Sequence, residues 1–251
     1  MNTLDPRGLI VEEVNWPGAL GASSPSLQVV MCLSHRVEYL PWTIACLRSQ
    51  TESAIHLLIW NNNLSESARA EELLNRSKPP FPVTMVHSRR NVGGVGRFLL
   101  SADRRLDRGC PVVLVDDDQF FHRHCLESLR ASWSSDTLVG WWAWKFHEGG
   151  GYWDRDRVAP GEVAHHLGTG GLILSSEILS DPRLVADMPA PFSNIEDLWL
   201  SYFASHVLGR RLIAAENVIS PIPDGKDQHF ALRREKEIFL DRLRKEYNWG
   251  V

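Results

Sequence analysis

Residues 111–118 read Pro111-Val112-Val113-Leu114-Val115-Asp116-Asp117-Asp118, an apolar run that ends abruptly in three carboxylates. An unbroken run rich in β-branched residues marks a strand buried on both faces, as parallel strands are. In an open α/β sheet the ligand crevice lies beyond the carboxyl ends of the strands, which puts the aspartates at such a crevice. Three adjacent carboxylates repel one another, and a hard divalent cation with oxygen ligands is the natural compensator. A turn that caps the next helix is the competing use of the same residues. Residues two apart on an extended chain share a face, so Asp116 pairs with Asp118 and Asp117 points elsewhere. Asp118 is the candidate direct metal ligand, with Asp116 as its partner or a ribose contact.

Upstream, apolar runs alternate with helix-like segments. Strands are expected at Leu27 to Leu33, His56 to Trp60 and Val83 to His87, and helices at Val37 to Ser49, Ser65 to Asn75 and Val95 to Leu106. Strand and helix in alternation imply an α/β fold with a doubly wound, mostly parallel sheet. Past Asp118 the rhythm becomes α+β. A helix is expected over His122 to Ser132, strands over Leu138 to Phe146 and Leu167 to Leu174, and a helix over Ser193 to Leu208. A short strand at Arg211 to Ile219 and a final helix over Leu232 to Tyr247 complete the pattern. Residues 1–26, with Pro6, Pro17, Gly18, Gly21 and Pro25, read as a loosely ordered arm. Residues 27–251 read as one domain, with a first half to 118 and a second from 119.

The 251 residues are 43% hydrophobic, enough for one sizeable core, and the net charge of -4 excludes a basic nucleic-acid surface. Four cysteines without C-x-x-C spacing read as reduced core thiols. No apolar run approaches the roughly 18 residues that would span a bilayer, so a soluble, cytoplasmic protein is expected.

Further candidates follow from residue chemistry. Backbone amides of the Gly-rich Asn91-Val92-Gly93-Gly94-Val95-Gly96 segment at a helix start, together with Arg97, make a phosphate cradle. Trp142 and Trp144 share a face if the strand alternates, and indole faces suit the C–H surface of a sugar. Ser193 and Glu196 have capping-box spacing, which accounts for Glu196 and singles out Asp197.

The segment from Asn91 through LVDDDQFFHRHCLESL to DTLVGWWAWKF resembles GT-A glycosyltransferases, most of all the exostosin-like group, with inverting GT-A family 2-like enzymes second. The Gly168-Thr169-Gly170-Gly171 loop and the Glu196-Asp197 helix are similar to the family's glycine loop and acidic-pair helix. The resemblance covers residues 27 to 229. It implies a UDP-sugar donor carried by Mn2+ (or Mg2+) on Asp118, Asp116 and the late His229, and a carbohydrate or glycoconjugate acceptor. Donor contacts would come from Ser34, Arg36, Asn61, Asn91, Gly94, Arg97, Asp116 and Asp117. Trp142, Trp144, Gly170 and Gly171 would face the sugar or acceptor, and Glu196 and Asp197 the reaction. Asp197 would be the base in an inverting enzyme, or would stand near the anomeric centre in a retaining one. One departure is Leu58-Ile59-Trp60-Asn61-Asn62-Asn63, where many inverting relatives have an aspartate for the base; asparagine can still pair with a uracil edge. A nucleotidyltransferase would need a Gly-rich first loop in place of Cys32-Leu33-Ser34-His35-Arg36. A non-catalytic sugar-binding module is the remaining alternative.

Overall fold

The apolar run before the aspartates forms a strand, Pro111–Val115, with strands from both halves of the chain on either side of it. The computed structural model describes residues 6–18, 26–102, 110–216, 219–222 and 231–251. In chain order the strands are β1 (Ile10–Trp16), β2 (Leu27–Leu33), β3 (Ile55–Asn61), β4 (Val83–Ser88), β5 (Pro111–Val115), β6 (Gln119–Phe121) and β7 (Thr137–Gly140). They continue as β8 (Ala143–Phe146), β9 (Arg155–Arg157), β10 (His166–Leu167), β11 (Leu172–Ser175), β12 (Arg211–Ala214) and β13 (Ile219–Pro221). The principal sheet runs β1-β4-β3-β2-β5-β11-β7-β12. Its β4-β3-β2-β5 block is parallel, as is β7-β12, whereas β11 and the edge strand β1 run antiparallel to their neighbours. The fold is α/β with a large, mostly parallel central sheet.

The period-2 alternation of the strands sends side chains to both faces, and both faces are covered. Val30, Leu58, Trp60, Val112 and Leu114 enter one core; Val29, Met31, Ile59, Val113 and Val115 enter the other. The first core is closed by Gly96–Ala102, Glu196–Tyr202 and Arg233–Tyr247, the second by Leu40–Arg48, Ser67–Ser77 and Cys125–Ser132. The final helix packs by Phe239, Leu240 and Leu243, and Phe239 stacks on Phe192 at 4.2 Å between ring centroids. No helix among the described residues is long and apolar enough to cross a membrane.

Five local expectations differ from what is observed; one is the short strand expected over Arg211 to Ile219, since β12 ends at Ala214 and Ile219 opens β13, which pairs with β6 in a separate sheet. The arm expected over residues 1 to 26 contains β1, which pairs in register with β4 at the sheet edge. Its mostly exposed, charge-bearing side chains conceal it from a search for apolar runs. The strand expected over Leu138 to Phe146 divides at Trp141-Trp142, and β8 leaves for a second sheet of order β10-β8-β9. Leu167 to Leu174 likewise divides at its glycines into β10 and β11. The helix expected from Ser193 begins at Glu196, with no side-chain cap, and runs on into a π-helical turn at Phe203–Val207. The capping box is therefore absent, and the Glu196 carboxylate is free for other partners.

Gly96 opens a helix against the indole of the fully buried Trp60, which a Cβ at that position would overlap. Trp60 Nε1 in turn donates to Asn62 Oδ1 at 3.1 Å. Gly96→Ala should destabilise the protein by about 1–3 kcal/mol, the usual range for overpacking. Urea denaturation against wild type measures it, and an unchanged midpoint would show that the indole has room to move.

Candidate functional site

The parallel strands all stop at one edge, and the loops that follow them converge there. Ser34 and Arg36 follow β2, Asn62 follows β3, Asn91 follows β4 and Asp116–Asp118 follow β5. These residues line a cleft of about 420 Å³ whose opposite wall is the start of the Glu196–Tyr202 helix. This is the crevice expected at the carboxyl ends of strands in an open α/β sheet.

The three aspartates are not equivalent. Asp117 keeps 11% of its side chain exposed, against 35% for Asp116 and 27% for Asp118. Arg36 spans two of them, with Nη1 3.1 Å from Asp117 Oδ1 and Nη2 3.2 Å from Asp118 Oδ2. Burial raises the Asp117 carboxyl above its ordinary range despite Arg36. Asp116 Oδ1 accepts from Arg97 Nη2 at 3.0 Å, and its backbone N–H donates to Gln119 Oε1 at 3.1 Å.

Arg97 is 5% exposed and joins the two walls, since its Nε lies 3.5 Å from Glu196 Oε1. Gly94 lies where any side chain would collide with the Glu196 carboxylate, which explains a glycine there. Thr169 Oγ1 donates to Glu196 Oε1 at 3.3 Å. Burial raises Glu196 above the usual carboxylate range, with Arg97 opposing and Asp197 adding to the rise. Asp197 goes the other way. Burial alone would raise it, but the charge of Lys236 and the contact with His166 hold it well below the usual range. Its Oδ1 accepts the Leu198 N–H at 2.8 Å, and its Oδ2 is 3.3 Å from His166 Nε2. Cys32 borders the cleft beneath Gly94, and burial pushes its thiol up to about 12, which removes it as a nucleophile.

Trp142 and Trp144 stack at 6.2 Å with 14° between planes, and both line the cleft. Gly170 also lines it, packed so closely against Asp116 and Gln119 that a Cβ would overlap both. Gly171 does not; its φ of 86° turns the chain beneath Trp141, whose Nε1 donates to Gly170 O at 2.7 Å. Asn61 also faces away. Its amide donates to His87 Nδ1 at 3.0 Å and to Asn63 O at 3.1 Å, and His87 Nε2 reaches Glu71 at 3.1 Å. Asn62 takes the place by the cleft instead. His229 lies outside the described residues. Sequence reading did not single out Asn62, Tyr152, Arg155 or Lys236, all of which line the cleft; of the adjacent His165 and His166, of which strand alternation lets at most one face the site, His166 lines it. Lys236 sits on the buried face of a charged helix, and only its position one turn before Phe239 and Leu240 hints at this.

No family model matches the sequence, and no curated protein sequence matches it. Solved structures do resemble the fold. The mannosyltransferase PcManGT from Pyrobaculum calidifontis, in complex with GDP-Man and Mn2+, has a TM-score of 0.62 at 14% identity, covering 92% of this chain and 67% of its own. S. aureus TarS has a TM-score of 0.56 at 12% identity, covering 87% of this chain. A TarS 1-349 structure with UDP-GlcNAc has a TM-score of 0.51 at 14% identity and 75% coverage of this chain. The chain spans only 40% of the first TarS structure and 57% of the second. These likenesses, with the topology above, show a GT-A-type glycosyltransferase fold.

His166 is 1% exposed, and burial lowers its pKa against the partial opposition of Asp197. The unfolded chain takes up a proton near pH 6.5 while the folded one resists, so stability should fall as pH drops through that value. His166→Gln should flatten this part of the profile, read from urea unfolding at a series of pH values. An identical slope would mean that His166 is charged in both states.

Proposed function

We propose that the chain is a glycosyltransferase that moves a sugar from a nucleoside diphosphate donor, UDP-sugar first, to a hydroxyl of a carbohydrate or glycoconjugate acceptor. The observation that carries this reading is the span of Arg97 from Asp116 to Glu196, which joins the aspartate triplet and the acidic pair in one cleft. The structural neighbours are nucleotide-sugar glycosyltransferases, solved with GDP-Man or UDP-GlcNAc, and the shared fold supports a donor of the same class here.

Carboxylate oxygens suit Mn2+ or Mg2+, and Asp118 and Asp116 are the two aspartates more open to the cleft. Among the described residues no cluster of three His, Cys, Asp or Glu could hold a metal by itself. A cation there would be held through one or two carboxylates and would depend on other ligands. Asp118 and Asp116 would hold it, with His229 as a third candidate. Bound there, the cation would neutralise charge on the departing diphosphate.

The chain's own groups do the rest. Arg36 and Arg97 bring guanidinium charge to the diphosphate, and the Asn91–Gly94 turn brings backbone amides. Ser34 and Asn62 lie toward the nucleoside. Trp142 and Trp144 offer indole faces to the sugars. Glu196 keeps Arg97 in place, and Asp197 faces the acceptor end with His166 and Lys236. In an inverting enzyme Asp197 would be the general base, and in a retaining one it would stand near the anomeric centre and stabilise positive charge there.

The first test is turnover and binding of UDP-, GDP-, CMP- and dTDP-sugars, with Mn2+ and with chelator. One donor should be turned over only with metal, and Asp118→Ala should lower that rate at least about 100-fold, a loss in keeping with electrostatic stabilisation of the leaving group. Equal transfer in excess chelator would remove the metal, and no donor bound at all would remove the transferase. Asp197→Asn should lower kcat by roughly 100-fold or more with donor binding unchanged. A rise in donor KM alone would move Asp197 to the donor side.

A further inference from the structure

At the end of the cleft beyond Asp197, Arg155 leads β9, which pairs with β8 so that Arg155 lies opposite Phe146. Its guanidinium carbon lies 4.3 Å from the Trp144 centroid and 4.1 Å from that of Tyr152, within cation–π range of both. Two such contacts, with the Tyr152 hydroxyl also interacting with the group, restrain the guanidinium at this place in the cleft. Nη1 is buried and makes no hydrogen bond, and among the described residues no carboxylate forms an ion pair with Arg155.

The nearby acids are committed elsewhere. Asp154 and Asp156, which flank Arg155 in sequence, both bind His147, at 2.6 and 2.8 Å. Glu237 accepts the Tyr152 N–H at 2.7 Å. Asp197 is offset by Lys236, whose charge lowers its pKa. Arg157 offers a contrast: it too stacks over Trp142 and Trp144, but its Nη2 donates to the Trp141 carbonyl. Arg155 is therefore a restrained cation that lines the cleft beyond Asp197 without a carboxylate partner among the described residues. A planar guanidinium edge matches a carboxylate or phosphoryl group.

We infer that the acceptor carries an oxyanion, a carboxylate or a phosphoryl group, which Arg155 binds while the indole faces hold the adjoining sugar ring. The inference rests on the glycosyltransferase reading. It adds that a neutral glycan is a poor acceptor.

Ligand-observed NMR with glucose, glucuronate and glucose 6-phosphate tests it, at fixed ionic strength, on full-length protein saturated with the nucleotide that the donor panel selects and Mg2+. Wild type should bind at least one of the two anionic sugars roughly tenfold or more tightly than glucose, the worth of one charge-assisted hydrogen bond. The two anions separate a carboxylate site from a phosphoryl site. Arg155→Gln should abolish the preference with nucleotide affinity unchanged, which also shows that the variant is folded, and Arg155→Lys should restore part of it. The inference is overturned if glucose binds as well as both anions, if the preference survives Arg155→Gln, or if nucleotide-loaded protein binds neither anion. Failure to bind any nucleotide would instead bring down the transferase reading, and this inference with it.

Discussion

Arg97 carries its charge into the interior between Asp116 on the strand side and Glu196 on the helix side of the cleft. A buried cation is tolerated only when paired, so both acids must stay within its reach, and the two walls are held at that separation. Gly94 and Gly96 let the Arg97 segment come close enough, one against Glu196 and the other against Trp60. The Trp60 indole passes the constraint on through Asn62, whose Oδ1 also accepts the Val92 N–H at 3.0 Å. The aspartate end of the cleft is thus a single mechanical unit built around one guanidinium.

The same arrangement separates two adjacent acids. Glu196 and Asp197 occupy the first turn of one helix and point in different directions. Glu196 is raised by burial beside Arg97, and Asp197 is lowered by Lys236 and His166. Neighbouring carboxylates with opposite environments can take different tasks, and here one is held by Arg97 and the other by Lys236 and His166. Lys236 belongs to the last helix, so the C-terminal segment reaches the cleft as well as packing the core.

Aromatic residues organise the other end. The departure of β8 from the principal sheet brings Trp142 and Trp144 into a stacked pair facing the cleft, and leaves Trp141 buried beneath. Arg155 and Arg157 then lie on these rings from β9. The cleft therefore grades from acid paired with arginine at one end to indole and guanidinium at the other.

Much of this was legible in the chain. Buried parallel strands are local, dense apolar signals, and Leu27–Leu33 and Pro111–Val115 are observed at the bounds their residues imply. The aspartate triplet announced the cleft because it follows such a strand without a break. What the residues could not specify was where neighbouring elements send them. Alternation is identical in one sheet or two, so the break at Trp141-Trp142 left no mark. Asn61 and Asn62 are chemically alike, and only the partnership of Asn61 with His87 on the next strand decides that Asn62 meets the cleft. Glu196 had a capping role by spacing, but the helix begins at Glu196 itself and its carboxylate goes to Arg97. Strand and helix identity come from short-range periodicity, which the sequence by itself determined. The orientation of Asn62, Glu196, Arg155 and Lys236 comes from pairing and burial between distant segments, and that only the tertiary structure decided.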